Sequence, residues 1–385
     1  MSAEITPLIV GLIILVSSLL SLRLGISVAI LEIVFGAVAG NSGMEVQGWM
    51  VYLANFGGVL LTFLAGTEID TRLMKENFWS SFLIGTFSFL LPFAGIFLYT
   101  YYVAGWNYQA SLIAGTALST TSLAVVYSVL VETGLSSTRV GKLLMAATFV
   151  TDIGTALALS ILFVKPTAYT VVFILASIII IIIASFYSQR VFSNPKLKNK
   201  VIEPEIKYLF VLLLAFMYFA KLGDGHAILP AFVLGLLMSG QFKETSDTKM
   251  VRNRLRTVSY AVITPVFFVV GGLRVSLPLI ASAAGLFLIL FLLKMATKFA
   301  GVYFLSKKFI PEGSMYTTLL MSTGLTFGTI SSLYGLNAGL IDRVQYSLLV
   351  GVVVASAVIP TFVAQKWFLP LHSEDIVDIN NDNNH

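Results

Sequence analysis

KLLMAATFVTDIGTALALSILFVK (142–165) decides how the rest of the chain is read. Between its two lysines lie enough apolar residues to cross a bilayer as one helix. A single charge, Asp152, sits in the middle with Thr151 beside it, and no other charge falls within nine residues on either side. A carboxylate at mid-bilayer costs about 2.5–3.5 kcal/mol even on lenient insertion scales, so it rarely persists without a task. Two readings are open: a structural carboxylate paired with a buried lysine or capped by hydroxyls, and a site for an ion or a proton. The second is the default for an intramembrane acid.

Composition supports the membrane reading. The 385 residues are 57% hydrophobic and 11% charged, with a mean hydropathy of +0.91. Soluble domains carry about 25% charged residues, so that class is excluded. The first apolar segment, from Thr6 to Leu22, follows MSAE, with no basic region and no small-residue cleavage site, and is expected to be a retained helix rather than a signal peptide. The chain has no cysteine and three histidines, His226, His372 and His385, which are not spaced as metal ligands, so a metalloenzyme is not expected.

Hydropathy divides the chain into thirteen candidate spans, at about 5–22, 26–41, 49–67, 79–103, 107–131, 138–164, 167–188, 206–222, 226–241, 258–273, 279–304, 314–336 and 343–366. The odd-numbered connections and the C-terminal end hold eighteen of the 24 Lys and Arg residues. The even-numbered connections hold four, Lys165, Lys221, Arg274 and Arg343. That asymmetry predicts a multi-pass cell-membrane protein with its N-terminus outside and its C-terminus in the cytoplasm. It also explains the net charge of +5 without a nucleic-acid partner. Two basic connections, 188–207 and 243–257, are expected to lie along the inner surface, as topogenic charge or as a pH-sensing patch. The acidic, Asn-rich segment 371–385 is expected to be a disordered tail.

Two spans look broken. GTALSTTSLAVVY (115–127) crowds hydroxyls into one or two turns, and MSTGLTFGTISS (321–332) does so around Gly324 and Gly328. Such clusters can mean only close helix packing. Seven spans apart, they run in opposite directions, and paired interrupted segments are the best sequence pointer to a transporter site between inverted repeats. Asp152 follows the first break. Lys294 and Lys298, four residues apart on one helix face, precede the second; one of them could snorkel to the inner surface, Lys298 the more easily. Weaker candidates are Glu32, as a packing, funnel or dimer-interface group, and Glu68 and Asp70 as an end cap. Asp224 and His226 suit an N-cap.

These strings, in this order, resemble the sodium/hydrogen exchanger superfamily, in particular its NapA-type and Kef-type monovalent cation/proton antiporters. LANFGGVLLTFLAGTEID (53–70), SLIAGTALSTTSLAVVYSVLVETG (111–134), ATFVTDIGTALALS (147–160), AILPAFVLGLLMSG (227–240), TPVFFVVGGLRVSL (264–277) and KFAG (298–301) carry the likeness. The resemblance implies an all-α polytopic fold of about thirteen transmembrane helices, NhaA- and NapA-like, with inverted repeats and two crossed interrupted helices. It implies an antiporter domain over 1–370, with a core from 79–164 and 279–366 and a dimerising scaffold from 5–67 and 167–273.

By the same resemblance Asp152 binds the proton or the monovalent cation, with Thr151, Thr121 and Ser122 around it. Lys298, ahead of Lys294, compensates charge, and Thr326 with Thr323 marks the second break. The substrates implied are H⁺ and Na⁺, with K⁺ or Li⁺ as alternatives, and no cofactor and no enzymatic step. Thr151 stands where many relatives carry a second acid or an asparagine. Thr-Gly-Leu-Thr-Phe (323–327) replaces the Arg-Gly-Glu-Phe run of Kef-type members. A channel with structural buried charges is the reading from another class; the clustering of polar residues at two mid-membrane turns favours a closed site.

Overall fold

The computed structural model describes residues 5–24, 27–68, 78–135, 138–162, 168–192, 194, 202–223, 227–240, 242 and 246–370. Every regular element among them is helical. In chain order come α1 (Thr6–Leu24), α2 (Val28–Asn41), α3 (Gly48–Glu68), α4 (Phe78–Tyr102), α5 (Tyr108–Ser119), α6 (Leu123–Glu132) and α7 (Arg139–Leu162). Then follow α8 (Ala168–Phe192), α9 (Pro204–Leu222), α10 (Ile228–Ser239), α11 (Ser246–Val258), α12 (Thr264–Leu273) and α13 (Leu277–Ser282). The last four are α14 (Ala284–Phe309), α15 (Ser314–Met321), α16 (Thr326–Asn337) and α17 (Arg343–Trp367). Eight helices among the described residues are long and apolar enough to cross a membrane, and α2 and α10 are shorter apolar helices. Helices satisfy their own backbone polar groups, which is what a chain this apolar requires in lipid.

The chain forms two compact units. One comprises Met1–Thr71, Thr155–Ser282 and Asp342–Ser347; the other comprises Arg72–Gly154, Ala283–Ile341 and Leu348–His385. In the first unit, helices meet backbone to backbone. A Cβ on Gly272 of α12 would run into the Ile33 carbonyl of α2, and one on Gly36 into the Val269 carbonyl of α12. Gly66 of α3 and Gly235 of α10 approach each other in the same way. Small residues allow this closeness, and dispersion contacts between the helices then replace contacts with lipid tails.

Of the connection at 243–257, the structure describes residues 246–257. Over 246–258 it is helical, and it runs through a π-turn, Ser259–Ile263, into α12. The cause is Pro265. A proline inside a helix removes one N–H and crowds the carbonyl four residues back. The wide turn accommodates this, with Thr264 donating both its N–H and its hydroxyl to the Ser259 carbonyl. Of the 188–207 connection, α8 covers the start and α9 the end. Arg254 on α11 pairs with Glu203, just before α9, at 2.9 Å. Asp70, Asp224, His226 and the tail 371–385 lie outside the described residues, as does the side chain of Glu68. Glu32 is buried on α2, in the first unit.

Candidate ion site

Both expected breaks are real, and their hydroxyls explain them. Between α5 and α6, Thr120 is extended (φ −64°, ψ 154°). Ser119 and Thr120 turn their hydroxyls back onto the carbonyls of Thr116 and Ala117, at 3.0 and 3.1 Å. Ser122 then receives the Val125 N–H at 3.4 Å, at the start of α6. Between α15 and α16, Ser322 and Thr323 donate to the carbonyls of Thr318 and Leu320, both at 2.7 Å. Side chains thus occupy the carbonyls and N–H groups that a broken helix would otherwise leave bare in lipid.

The two broken helices pack against each other within the second unit. A Cβ on Gly328 would lie 3.0 Å from the Ala117 carbonyl, and one on Gly335 would lie 2.9 Å from Ile113. As α16 advances, α5 recedes, so these halves run antiparallel. The C-terminal end of α5 therefore meets the N-terminal end of α16. Thr121 donates to the Met321 carbonyl at 2.9 Å, which ties the start of α6 to the end of α15. At both crossings the negative end of one half-helix faces the positive end of another.

Three ionisable groups gather here, all in the second unit. Asp152 is 1% exposed, and Lys294 and Lys298 are fully buried. Neither lysine snorkels. Lys298 Nζ donates to Ser88 Oγ on α4 and to Thr121 Oγ1, each at 2.9 Å. Lys294 Nζ donates to Ser356 Oγ on α17 at 2.9 Å and lies against Gly324 in the second break. One lysine thus attends each break. Lys298 acts electrostatically on both Asp152 and Lys294.

Asp152 differs from every other group in the cluster: neither of its carboxylate oxygens has a hydrogen-bond partner. One turn earlier, Thr148 touches the Met321 sulfur at 3.6 Å, which places α7 beside the second break. Phe89 of α4 covers Gly154, two residues beyond Asp152. Thr151 is buried and donates to the Thr148 carbonyl at 2.6 Å. Thr326, at the head of α16, is half-buried.

The sequence reading did not include Ser88 or Ser356. A signal for both exists: SFLLP (88–92) and SAVIP (356–360) each place a serine four residues before a proline inside a helix. The proline has no N–H for the serine carbonyl. Each turn that receives a lysine is therefore short of one donor.

Fold and site together define a helical, polytopic membrane protein with its charges buried around two broken helices, the architecture of a secondary transporter. Comparison with known proteins makes this specific. The chain belongs to the sodium/hydrogen exchanger family, whose transmembrane region matches residues 11–368. It is 26% identical to a probable Na⁺/H⁺ antiporter 3 of Methanocaldococcus jannaschii, covering 89% of this chain and 90% of that protein. It is 26% identical to a Na⁺/H⁺ antiporter of Enterococcus hirae, covering 92% and 94%. The Na⁺/H⁺-K⁺ antiporter GerN of Bacillus cereus is also 26% identical, covering 88% and 89%. The fold resembles the solved sodium proton antiporter MjNhaP1 of Methanocaldococcus jannaschii, with a TM-score of 0.71 at 14% identity, over 96% of this chain and 100% of that one.

Proposed function

We propose that this protein is a secondary antiporter that exchanges protons for a monovalent cation, Na⁺ first, at Asp152. The observation that carries the reading is a fully desolvated carboxylate with no hydrogen-bond partner, set beside two broken helices. Such a group takes whichever small cation neutralises it. Protonation removes the charge outright, while a bound cation with hydroxyl and carbonyl ligands stabilises the ionised form. Competition between the two is what exchange requires. Thr151, beside Asp152, and Thr121 and Ser122, at the first break, supply the hydroxyls, and Thr323 and Thr326 frame the second break. The names of the relatives support Na⁺ and H⁺ as substrates. That of GerN supports K⁺ as the alternative.

In this proposal the chain crosses the membrane thirteen times in inverted repeats, N-terminus outside and C-terminus in the cytoplasm. The second compact unit carries the site and moves against the first, which holds a homodimer together. Such a protein would serve pH homeostasis, driven by the opposing gradient.

Thr151 sharpens the stoichiometry. With Asp152 as the only acid at the site, the second unit carries one cation one way and one proton the other. Its net charge is then the same in both directions. The test is proton efflux from proteoliposomes against Li⁺, Na⁺, K⁺ and Rb⁺, with Na⁺ exchange repeated at clamped membrane potentials. Na⁺-driven efflux insensitive to voltage is expected. Current without proton movement would establish a channel, and a rate that follows the voltage would make a lysine a second proton carrier.

A further inference from the structure

We propose that Ser88 is a positioning residue that keeps Asp152 vacant by holding the Lys298 ammonium away from it; this rests on the antiport reading above. The evidence is an unusual division of partners. A buried ammonium and a buried carboxylate in one low-dielectric cluster attract strongly, and direct pairing is the ordinary outcome. Lys298 does act electrostatically on Asp152. Yet its Nζ hydrogen bonds go to Ser88 Oγ and Thr121 Oγ1, both at 2.9 Å, and both Asp152 oxygens remain without a partner.

Two hydroxyls therefore hold what a carboxylate would otherwise take. Thr121 is committed in any case, since it also donates to the Met321 carbonyl and ties the breaks together. Ser88 is the separable half of the arrangement. It sits on α4, which packs along α14, where Gly301 against the Phe87 carbonyl brings the two helices close. Pro92 adds to its pull. Without an N–H at 92, the Ser88 carbonyl lacks its helical donor, and its dipole makes the turn more negative. Lys294 repeats the device with Ser356 and Pro360. The recurrence argues against chance, because among the described residues Lys294 and Lys298 are the two fully buried lysines and each ends on a serine of this kind.

A held lysine has a functional consequence. An ammonium that pairs with Asp152 competes with the incoming cation, so loss of the hold should raise the cation concentration needed for exchange while leaving the transport cycle itself intact. The experiment measures Na⁺-dependent proton efflux, purified protein in liposomes, for wild type, Ser88→Ala, Ser88→Thr and Ser356→Ala. Ser88→Ala is expected to raise KM for Na⁺ about threefold to tenfold with the maximal rate within a factor of two. Ser88→Thr should restore the wild-type KM. Ser356→Ala should shift KM less, since Lys294 is held at the second break, against Gly324.

The inference is overturned if Ser88→Ala leaves KM unchanged. It is equally overturned if KM, rate and melting temperature all fall away together and threonine does not rescue, which would make the serine purely structural. Absence of Na⁺-dependent efflux in wild type would instead count against the antiport reading.

Discussion

Both compact units bring helices together at glycines, and they differ in what fills their centres. In the first, glycines press helices together until backbone meets backbone, as at Gly272 against Ile33 and Gly66 against Phe232. Polar side chains there mostly close ends and turns; Asn41, for example, binds the Val275 carbonyl at 2.9 Å. In the second unit, hydroxyls run through the centre and surround two buried lysines and an aspartate side chain with no hydrogen-bond partner. Close glycine packing fixes the distance between helices. A hydroxyl network, by contrast, can exchange partners at little cost, since each oxygen both donates and accepts. One unit is built for rigidity, and the other for chemistry.

The comparison breaks most sharply at Asp152. Asp152→Asn preserves size and hydrogen-bonding capacity but abolishes titration, so exchange should fall to the liposome background, at least a hundredfold. The melting temperature should hold or rise, because a desolvated charge has been removed. A variant that still exchanges at near wild-type rate would move the site elsewhere. In wild type, protons compete for the same carboxylate, so KM for Na⁺ should increase as pH falls.

The converse perturbation belongs to the first unit. Gly272→Val places a side chain against the Ile33 carbonyl and the Ala37 nitrogen. Overpacking of this kind costs about 3 kcal/mol. Protein yield and melting temperature should drop, while the molecules that do fold keep the wild-type KM. A changed KM with unchanged stability would show that the first unit takes part in ion binding.

The smallest expected effect separates two neighbouring hydroxyls. Thr121→Ala removes bonds to Met321 and Lys298, leaving a buried carbonyl unsatisfied at a cost of about 1–3 kcal/mol. Ser122→Ala removes only a long bond from Val125. Ser122→Ala should therefore raise KM for Na⁺ by a few-fold with little change in melting temperature, whereas Thr121→Ala should lower stability as well. Equal stability losses in both would mean that neither hydroxyl serves the cation.

Much of the fold was legible because bilayer physics leaves few options. Long apolar runs became helices, and the hydroxyl clusters at 119–122 and 322–323 became breaks, since those side chains can satisfy carbonyls that a straight helix would keep for itself. Asp152 and both lysines were conspicuous as charges in apolar surroundings. Ser88 and Ser356 were not, because a lone serine in an apolar helix looks the same whether it faces a neighbouring helix or a lysine. The proline four residues later is the one sequence mark that both share. The basic segment at 243–257 gave no sign of its helix, because its charges hide the spacing of Val251 and Leu255, which bury one face of a helix that continues into the next.

That continuity has a consequence for phase. A π-turn adds one residue to a helix, and each residue of an α-helix advances the side chains by roughly 100°. The turn at Ser259–Ile263 therefore acts as an angular offset between α11, whose Arg254 reaches Glu203, and α12, whose face against α2 is fixed by Gly272. Deleting a single residue from that turn would leave both helices intact yet rotate α11 by about a quarter of a circle, carrying Arg254 away from Glu203.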